Sequence, residues 1–588
     1  MKKILCFFVS LCSITFAIGQ VQVQPFALTD VKLLPSRFQR NMQRDSAWIA
    51  SIPVNRLLHS FRNTAGVFSG KEGGYDDVLR LGGWESLDCD LRGHITGHLL
   101  SAMANLQMKQ KADSLVQGLA EVQKQYGTGY LSAFGEGLID RNLAGKGGVW
   151  APWYTLHKIL QGLIDQYTMC GNEKALEVAK GMGDWAYNKT KNLTDEQRQK
   201  AIRNEFGGFN EAMYNLYAIT KNENYLWVAR FFYHNDKIDP LKAGNKDLGT
   251  NHANTFIPKL LGECRNYELF GDESSRQAAT LLYNTLVNDH AFVTGEVSDK
   301  EHLFKPETQS KHLTGYDGEN CCTYNLLKLA DRLFTYQPDS KIADYYERAL
   351  YNHILGQQDT LTSMVCYFTP LMTGGYRLYS TRDSSFWCCV GSGFESHAKY
   401  QSSIYFHNDK ELYINLFIPS ELNWNGTIVR QETSFPESNK TTITASSRVN
   451  MKVRYPYWAT YIKVNGKKVK AGADGYIAIK STKKVDIEFG MSLRQEATKD
   501  DPSRVALLYG PIVLGGRLAE VAHPFSDPTK HNDYYTFDYG KHADVKLGEV
   551  KHLGGLKWSM EPTMNHAPLI IQPFYDLQHC RYVVYWKK

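Results

Sequence analysis

The chain has 588 residues, a formal net charge of +6, and 43% hydrophobic, 22% charged and 12% aromatic residues. This length is too great for one hydrophobic core and sets an expectation of two to four domains, while the composition excludes a disordered or fibrous chain. With 67 basic against 61 acidic residues and no basic run, nothing points to nucleic acid or to an anionic membrane surface. The 35 Tyr, 27 Phe and 11 Trp suit sugar-stacking surfaces as well as large cores.

The chain opens "MKKILCFFVSLCSITFAIGQ". Lys2 and Lys3 precede an apolar run from Ile4 to Ile18, and the small residues Ala17 and Gly19 follow, the pattern of a secretory signal peptide over residues 1–19. The expected mature protein is exported, either periplasmic or secreted. Loss of the two lysines leaves 65 basic against 61 acidic residues, a net charge of +4. No later stretch has the ~20 uninterrupted apolar residues that a membrane span needs.

From about Asp45 to Leu355 the apolar spacing is helical and comes in pairs. "WYTLHKILQGLIDQYTMC" stops at Gly171 and restarts after Asn172; the same phrase recurs through "KNEN", "GDES" and "QPDS". Each turn carries an Asn, Asp or Ser suited to capping the next helix, so these are helical hairpins. Their uneven intervals exclude a regular solenoid. They suit a toroid of paired helices, an α/α barrel over residues 20–400 whose loops build a pocket. After Tyr400 the period changes to two, as in "TTITASSRVNMKVRYPYW", and residues 401–588 read as one or two β-sandwiches.

Nine cysteines follow the signal segment, and four of them stand in two doublets, Cys321-Cys322 and Cys388-Cys389. An odd number cannot all pair, a chain this long does not need disulfides, and vicinal cysteines bond only through a strained ring. Thiolates gathered around a soft metal fit better. Glu319, Cys321, Cys388 and Cys389 offer one carboxylate and three thiolates, a tetrahedral Zn²⁺ set.

The segments "GENCCTYNLLKLADRLF" and "WCCVGSGFESHAKY" resemble the signatures of the β-L-arabinofuranosidases of glycoside hydrolase families 127 and 146. The likeness extends to "LLHSFRNTAG", "LRGHITGHLLSAMA", "APWYTLHKILQGLID", "NEFGGFNEAMYNLYAIT", "HANTFIPKLLG" and "KEHLF". The resemblance implies an (α/α)6 barrel followed by β-sandwich domains, and a retaining exo-glycosidase that releases β-L-arabinofuranose from plant cell-wall glycans. It implies Cys388 as a zinc-bound nucleophile, Glu319, Cys321 and Cys389 as its fellow ligands, and Glu301 as general acid and base. It gives His94, His98, His157 and His252 to sugar hydroxyls, with Trp84, Trp153, Tyr154 and Trp387 as ring-stacking residues. Asp88 and Asp90 bind hydroxyls or cap a helix.

Glu307, Asp317 and Glu395 lie in the same loops and read as solvated charges. Asn320, Leu99 and Leu100 depart from the family pattern and bear on the identity of the sugar. Alternative readings keep the mechanism for another furanose or a rare acidic pectin sugar, or make the chain a carbohydrate-binding protein with a structural zinc site. A polysaccharide lyase would share the toroid, but its products would absorb in the ultraviolet.

Overall fold

The structure is a computed structural model that describes residues 21–69, 80–530, 532–561 and 568–588. The expected signal segment, residues 1–19, lies outside the described residues.

Among the helices described in the first part of the chain, twelve form a double ring. The outer members are α1 (Arg37–Ser51), α3 (Lys109–Tyr126), α5 (Glu173–Thr190), α7 (Glu223–Phe231), α9 (Glu273–Thr285) and α11 (Ser340–Ala349). The inner members are α2 (His94–Asn105), α4 (Pro152–Cys170), α6 (Phe209–Thr220), α8 (Ala253–Phe270), α10 (Asn320–Tyr336) and α12 (Cys388–His397). Each inner helix packs on the next and α12 packs back on α2, which closes the ring; α1 from the N-terminal end covers α12. This is the (α/α)6 toroid. The inner positions follow from sequence: α2 and α12, whose only acidic or basic residue apart from histidines is Glu395, are buried along their whole length, as expected of helices with no charged outer face.

The hairpin turns work as the sequence foretells. Helix α4 has Pro152 in its first turn, ends at Gly171 with φ +72°, and hands over to Asn172, whose side chain accepts from the Ala175 N–H at 2.9 Å. Asn222, Asp272 and Asp339 cap α7, α9 and α11 in the same manner, each cap contributing about 1 kcal/mol. Where α2 crosses α4 the backbones nearly touch. A Cβ on Gly97 would lie 2.2 Å from the Lys158 carbonyl carbon, and one on Gly162 would lie 2.5 Å from the Gly97 oxygen.

Two antiparallel-rich sheets, of ten and eight strands, make up the β-sandwich part. The long strands Lys440–Arg454 and Tyr476–Phe489 pair with Tyr476 opposite Arg454 and Glu488 opposite Lys440. The first sheet also takes in two strands from the other end of the chain: Gln24–Pro25 pairs with Tyr405–His407, and Val31–Leu33 pairs with Ser420–Trp424. Residues 24–33 thus join the sheet instead of the helical part, because Val31 and Leu33 alternate with exposed Lys32 and fill the sandwich core. Arg454 locks this sheet to α11. Its buried guanidinium donates to Glu347 at 2.5 Å and to Asp344.

The second sheet sends one segment back over the helices. Between strands Ile512–Glu520 and Glu549–Gly554 the chain runs to the mouth of the toroid, where the Ser526 N–H donates to the Tyr379 carbonyl at 2.8 Å. The Trp84 indole donates to Asn532 at 2.9 Å, and the Tyr316 hydroxyl to the Phe537 carbonyl at 2.9 Å.

Candidate active site

The N-terminal ends of the six inner helices meet at one end of the toroid. His94 and His98 stand in the first turns of α2, Tyr154 and His157 in those of α4, and Gly208 caps α6. His252 caps α8, Glu319 caps α10 ahead of Cys321, and Cys388 and Cys389 open α12. Helix N-termini carry partial positive charge and free N–H groups, so their convergence favours anions at this point.

The groups gathered there are thiols and a carboxyl. Ligand atoms of Glu319, Cys321, Cys388 and Cys389, all buried, lie within 4.8 Å of one another. The Cys389 and Cys321 sulfurs are 3.4 Å apart, and Cys321 lies 3.1 Å from the Ser392 hydroxyl. Cys322 points away from them and donates to Glu319 Oε2 at 3.0 Å. Glu319 Oε1 is buried with no hydrogen-bond partner. All nine cysteines of the described residues are free.

A zinc ion fits this set. Tetrahedral Zn–S bonds of about 2.3 Å place sulfurs ~3.8 Å apart, close to the 3.4 Å between Cys389 and Cys321 and within the 4.8 Å that encloses all four ligand atoms. Glu319 Oε1 also needs a partner that no protein group supplies. Electrostatics agree. Burial pushes the Cys388 and Cys389 thiols well above their ordinary range, and burial with the charges of Glu301 and Cys388 does the same to Glu319. For Cys321 the effect of burial is overcome by hydrogen bonds from Cys388 and Cys389, which bring it down to about 6. By itself the cluster disfavours charge on Glu319, Cys388 and Cys389; a divalent cation would release their protons.

Beside the cluster stands Glu301. It and Lys300 have positive φ, +67° and +49°, a tight turn uncommon for such residues. The turn is held to α8 by the Ala253 N–H, which donates to the Glu301 carbonyl at 2.8 Å. Burial raises the Glu301 carboxyl above its ordinary range, against the hydrogen bond from Tyr367. Tyr367 links the two groups: its hydroxyl donates to Glu301 and accepts from the Cys388 thiol at 3.4 Å. His252 Nε2 is 3.8 Å from the other Glu301 oxygen, and burial lowers its pKa to about 4, so it stays neutral.

Family models decide the lineage. Residues 30–402, well over half of the chain, match the model described as β-L-arabinofuranosidase, GH127 catalytic domain, and residues 411–493 match its middle domain. The chain belongs to glycoside hydrolase family 127. A curated relative, the non-reducing end β-L-arabinofuranosidase of Bifidobacterium longum subsp. longum, is 23% identical over 484 residues, 69% of this chain and 71% of that protein. A solved family 127 β-arabinofuranosidase superposes with a TM-score of 0.72 at 18% identity, covering 97% of this chain and 98% of its own. A family 127 β-L-arabinofuranosidase from Geobacillus stearothermophilus T6 gives 0.69 at 18% identity, with 95% and 99% covered. These two likenesses show the fold.

The histidines of this family 127 chain divide by what surrounds them. His98 has both ring nitrogens engaged: Nδ1 lies 2.5 Å from Glu395, and Nε2 accepts from the Tyr154 hydroxyl at 3.0 Å. Burial lowers His98 to about 4, so the ring is neutral. Burial opposes the Glu395 charge, but the His98 hydrogen bond and the Lys158 charge hold that carboxyl below its usual range. The His98 ring lies so close over α12 that a Cβ on Gly391 would sit 2.3 Å from it. His94 donates to the Phe386 carbonyl at 3.0 Å and leaves Nδ1 buried without a partner. His157 accepts from the Gly208 N–H at 3.1 Å and lines a small cavity with Tyr154, Glu205 and Cys321.

Other expected positions lie elsewhere. Trp153 is packed among Trp185, Phe209 and Phe232 with its indole N–H on Asn142, a core position with no face toward the cluster. Leu99 and Leu100 are core residues, and Asn320 ties α10 to α12 through the Cys389 carbonyl and Ser392. Of the three carboxylates read as solvated, only Glu307 is exposed, paired with Lys499. Asp317 accepts two loop N–H groups, and Glu395 binds His98 and Tyr324; both are buried. Asp90 accepts from the Trp150 N–H.

Sequence reasoning passed over Tyr367, Glu205, Lys259 and Tyr534. Burial pushes Glu205 up to about 7 and brings Lys259 down to about 7. Glu205 stands inside the quoted segment "NEFGG", a signal that was available. Tyr367 and Tyr534 lie in stretches without periodicity.

Proposed function

We propose that this protein is an exported, retaining exo-glycosidase that removes β-L-arabinofuranose from plant cell-wall glycans, with Cys388 as nucleophile and Glu301 as general acid and base. The observation that carries the reading is the line Cys388–Tyr367–Glu301 beside a buried four-donor cluster. The name of the Bifidobacterium relative supports the sugar and the end of the chain attacked. The opening residues 1–19 support export.

Glu319, Cys321, Cys388 and Cys389 would hold zinc. Zinc bound there would keep the Cys388 sulfur a thiolate at neutral pH and lower its charge density, which suits a sulfur that must both attack and leave. In the first half-reaction the Cys388 sulfur bonds to the anomeric carbon while the bond to the leaving oxygen breaks and Glu301 gives that oxygen its proton. Burial, which raises the Glu301 carboxyl, favours the protonated form that this task needs. In the second, Glu301 takes a proton from water, the water oxygen bonds to the same carbon, and the C–S electron pair returns to sulfur. Two inversions retain the configuration.

Tyr367 fixes the acid and the nucleophile in register. His94 and His252 each hold an unpartnered Nδ1 for sugar hydroxyls, and His157 lines the small cavity that reaches Cys321. His98 acts through Tyr154, whose hydroxyl stands near Cys388 and Cys321. Hydrolysis of p-nitrophenyl β-L-arabinofuranoside by the purified protein, reduced by a zinc chelator and lost in Cys388→Ser, is the expected result. A folded, zinc-loaded protein that is inactive on this substrate would move the search to other sugars.

A further inference from the structure

The chain region beyond both matched family domains, which end at residue 493, contributes to the site. Tyr534 lies on the segment that the second sheet sends over the toroid mouth. Its ring stacks on Tyr367 with centroids 4.0 Å apart and planes 17° from parallel. It also meets Trp387 at 5.0 Å and Trp84 at 5.9 Å, and it is 7% exposed. Tyr367, so covered, bonds both Cys388 and Glu301.

We infer that Tyr534 is a positioning residue: its ring clamps Tyr367 from above, holds that hydroxyl between acid and nucleophile, and roofs the cysteine cluster. Three observations converge on this. The stacked geometry restricts the Tyr367 ring most, since its other ring contacts, Phe368, Trp387 and Trp84, are tilted or edge-on at 4.7, 6.0 and 6.4 Å. The segment is itself pinned on both sides of Tyr534, by Ser526 on Tyr379 and by Tyr316 on Phe537. The Trp84 indole bonds Asn532, two residues away. A flat ring in this slot restricts rotation at low entropy cost. Misplacement of a reacting group by about 1 Å costs ~10²-fold in rate.

The inference rests on the reading of Cys388 and Glu301 as the catalytic pair, so its test has one arm that needs no turnover. Full-length Tyr534→Ala, Tyr534→Leu and Tyr534→Phe are compared with the parent in two measurements: kcat and KM on p-nitrophenyl β-L-arabinofuranoside, and the rate of Cys388 alkylation by iodoacetamide, followed by peptide mass mapping. Ala and Leu should lower kcat by about 10-fold to 10²-fold with KM changed far less, and should speed alkylation several-fold. Phe, which keeps the ring, should recover most of both. Tyr534→Leu keeps an apolar side chain in the slot and covers the case in which the Ala variant does not fold. Alkylation at the parent rate in folded Ala or Leu variants overturns the inference, whatever the substrate. An inactive parent whose Tyr534→Ala still alkylates faster would instead overturn the sugar assignment and leave the roof standing.

Discussion

The sulfurs of Cys321 and Cys389 lie 3.4 Å apart, on two different inner helices of the toroid. This is far beyond the ~2.05 Å of a disulfide, and with Glu319 and Cys388 the pair offers four donor atoms to a cation. Purified protein is expected to carry close to one equivalent of zinc by elemental analysis. Cys321→Ala and Glu319→Gln should each weaken retention at least about 100-fold against a competing chelator. Stoichiometric zinc that survives in both variants would place the ion elsewhere.

The rate should fall on the alkaline side as Glu301 loses its proton. Burial raises this carboxyl above its ordinary range, and the acid form is the one required for the first step, so kcat/KM declines as pH rises through that raised value. The hydrogen bond from Tyr367 opposes the rise. Tyr367→Phe should therefore move the alkaline limb to higher pH, while Glu301→Gln should abolish the limb along with most of the activity. A limb that moves to lower pH in Tyr367→Phe contradicts the assignment.

Glu395 and His98 should behave as one unit. With His98 neutral, Glu395 selects the tautomer that carries its proton on Nδ1 and leaves Nε2 to accept from Tyr154. Glu395→Gln should lower kcat by about 10-fold to 100-fold, and His98→Ala should add little to that loss in the double variant. Losses that multiply independently would show that the two do not act together.

The interface between sheet and toroid should be sensitive to one residue. Arg454 is fully buried against Glu347 and Asp344, and the Trp458 indole also donates to Glu347 at 2.8 Å. Arg454→Met leaves two buried carboxylates without their cation and should cost about 3–5 kcal/mol, read as a lower urea midpoint. An unchanged midpoint would mean that the ion pairs are not needed there.

The toroid was legible because each hairpin states its own turn, with Asn172, Asn222, Asp272 and Asp339 in capping positions. The cysteine doublets were legible because adjacent thiols in a long chain have few other uses. Glu395 read as a solvated charge because its partner His98 is 297 residues away in sequence, a distance that no local pattern reports. Trp153 read as a sugar platform because an aromatic residue at a helix start looks the same whether it faces the pocket or the hairpin core. Tyr367 and Tyr534 carry no period, and only the return of the C-terminal segment to the mouth brings them together.

The identity of the nucleophile is tested most directly by rapid quenching of turnover on p-nitrophenyl β-L-arabinofuranoside, followed by peptide mapping. The account predicts one pentosyl residue on the peptide containing Cys388, trapped more strongly in Glu301→Gln, whose second half-reaction lacks its base. A pentosyl residue on Glu301, Glu319 or Glu205 in place of Cys388 would contradict it.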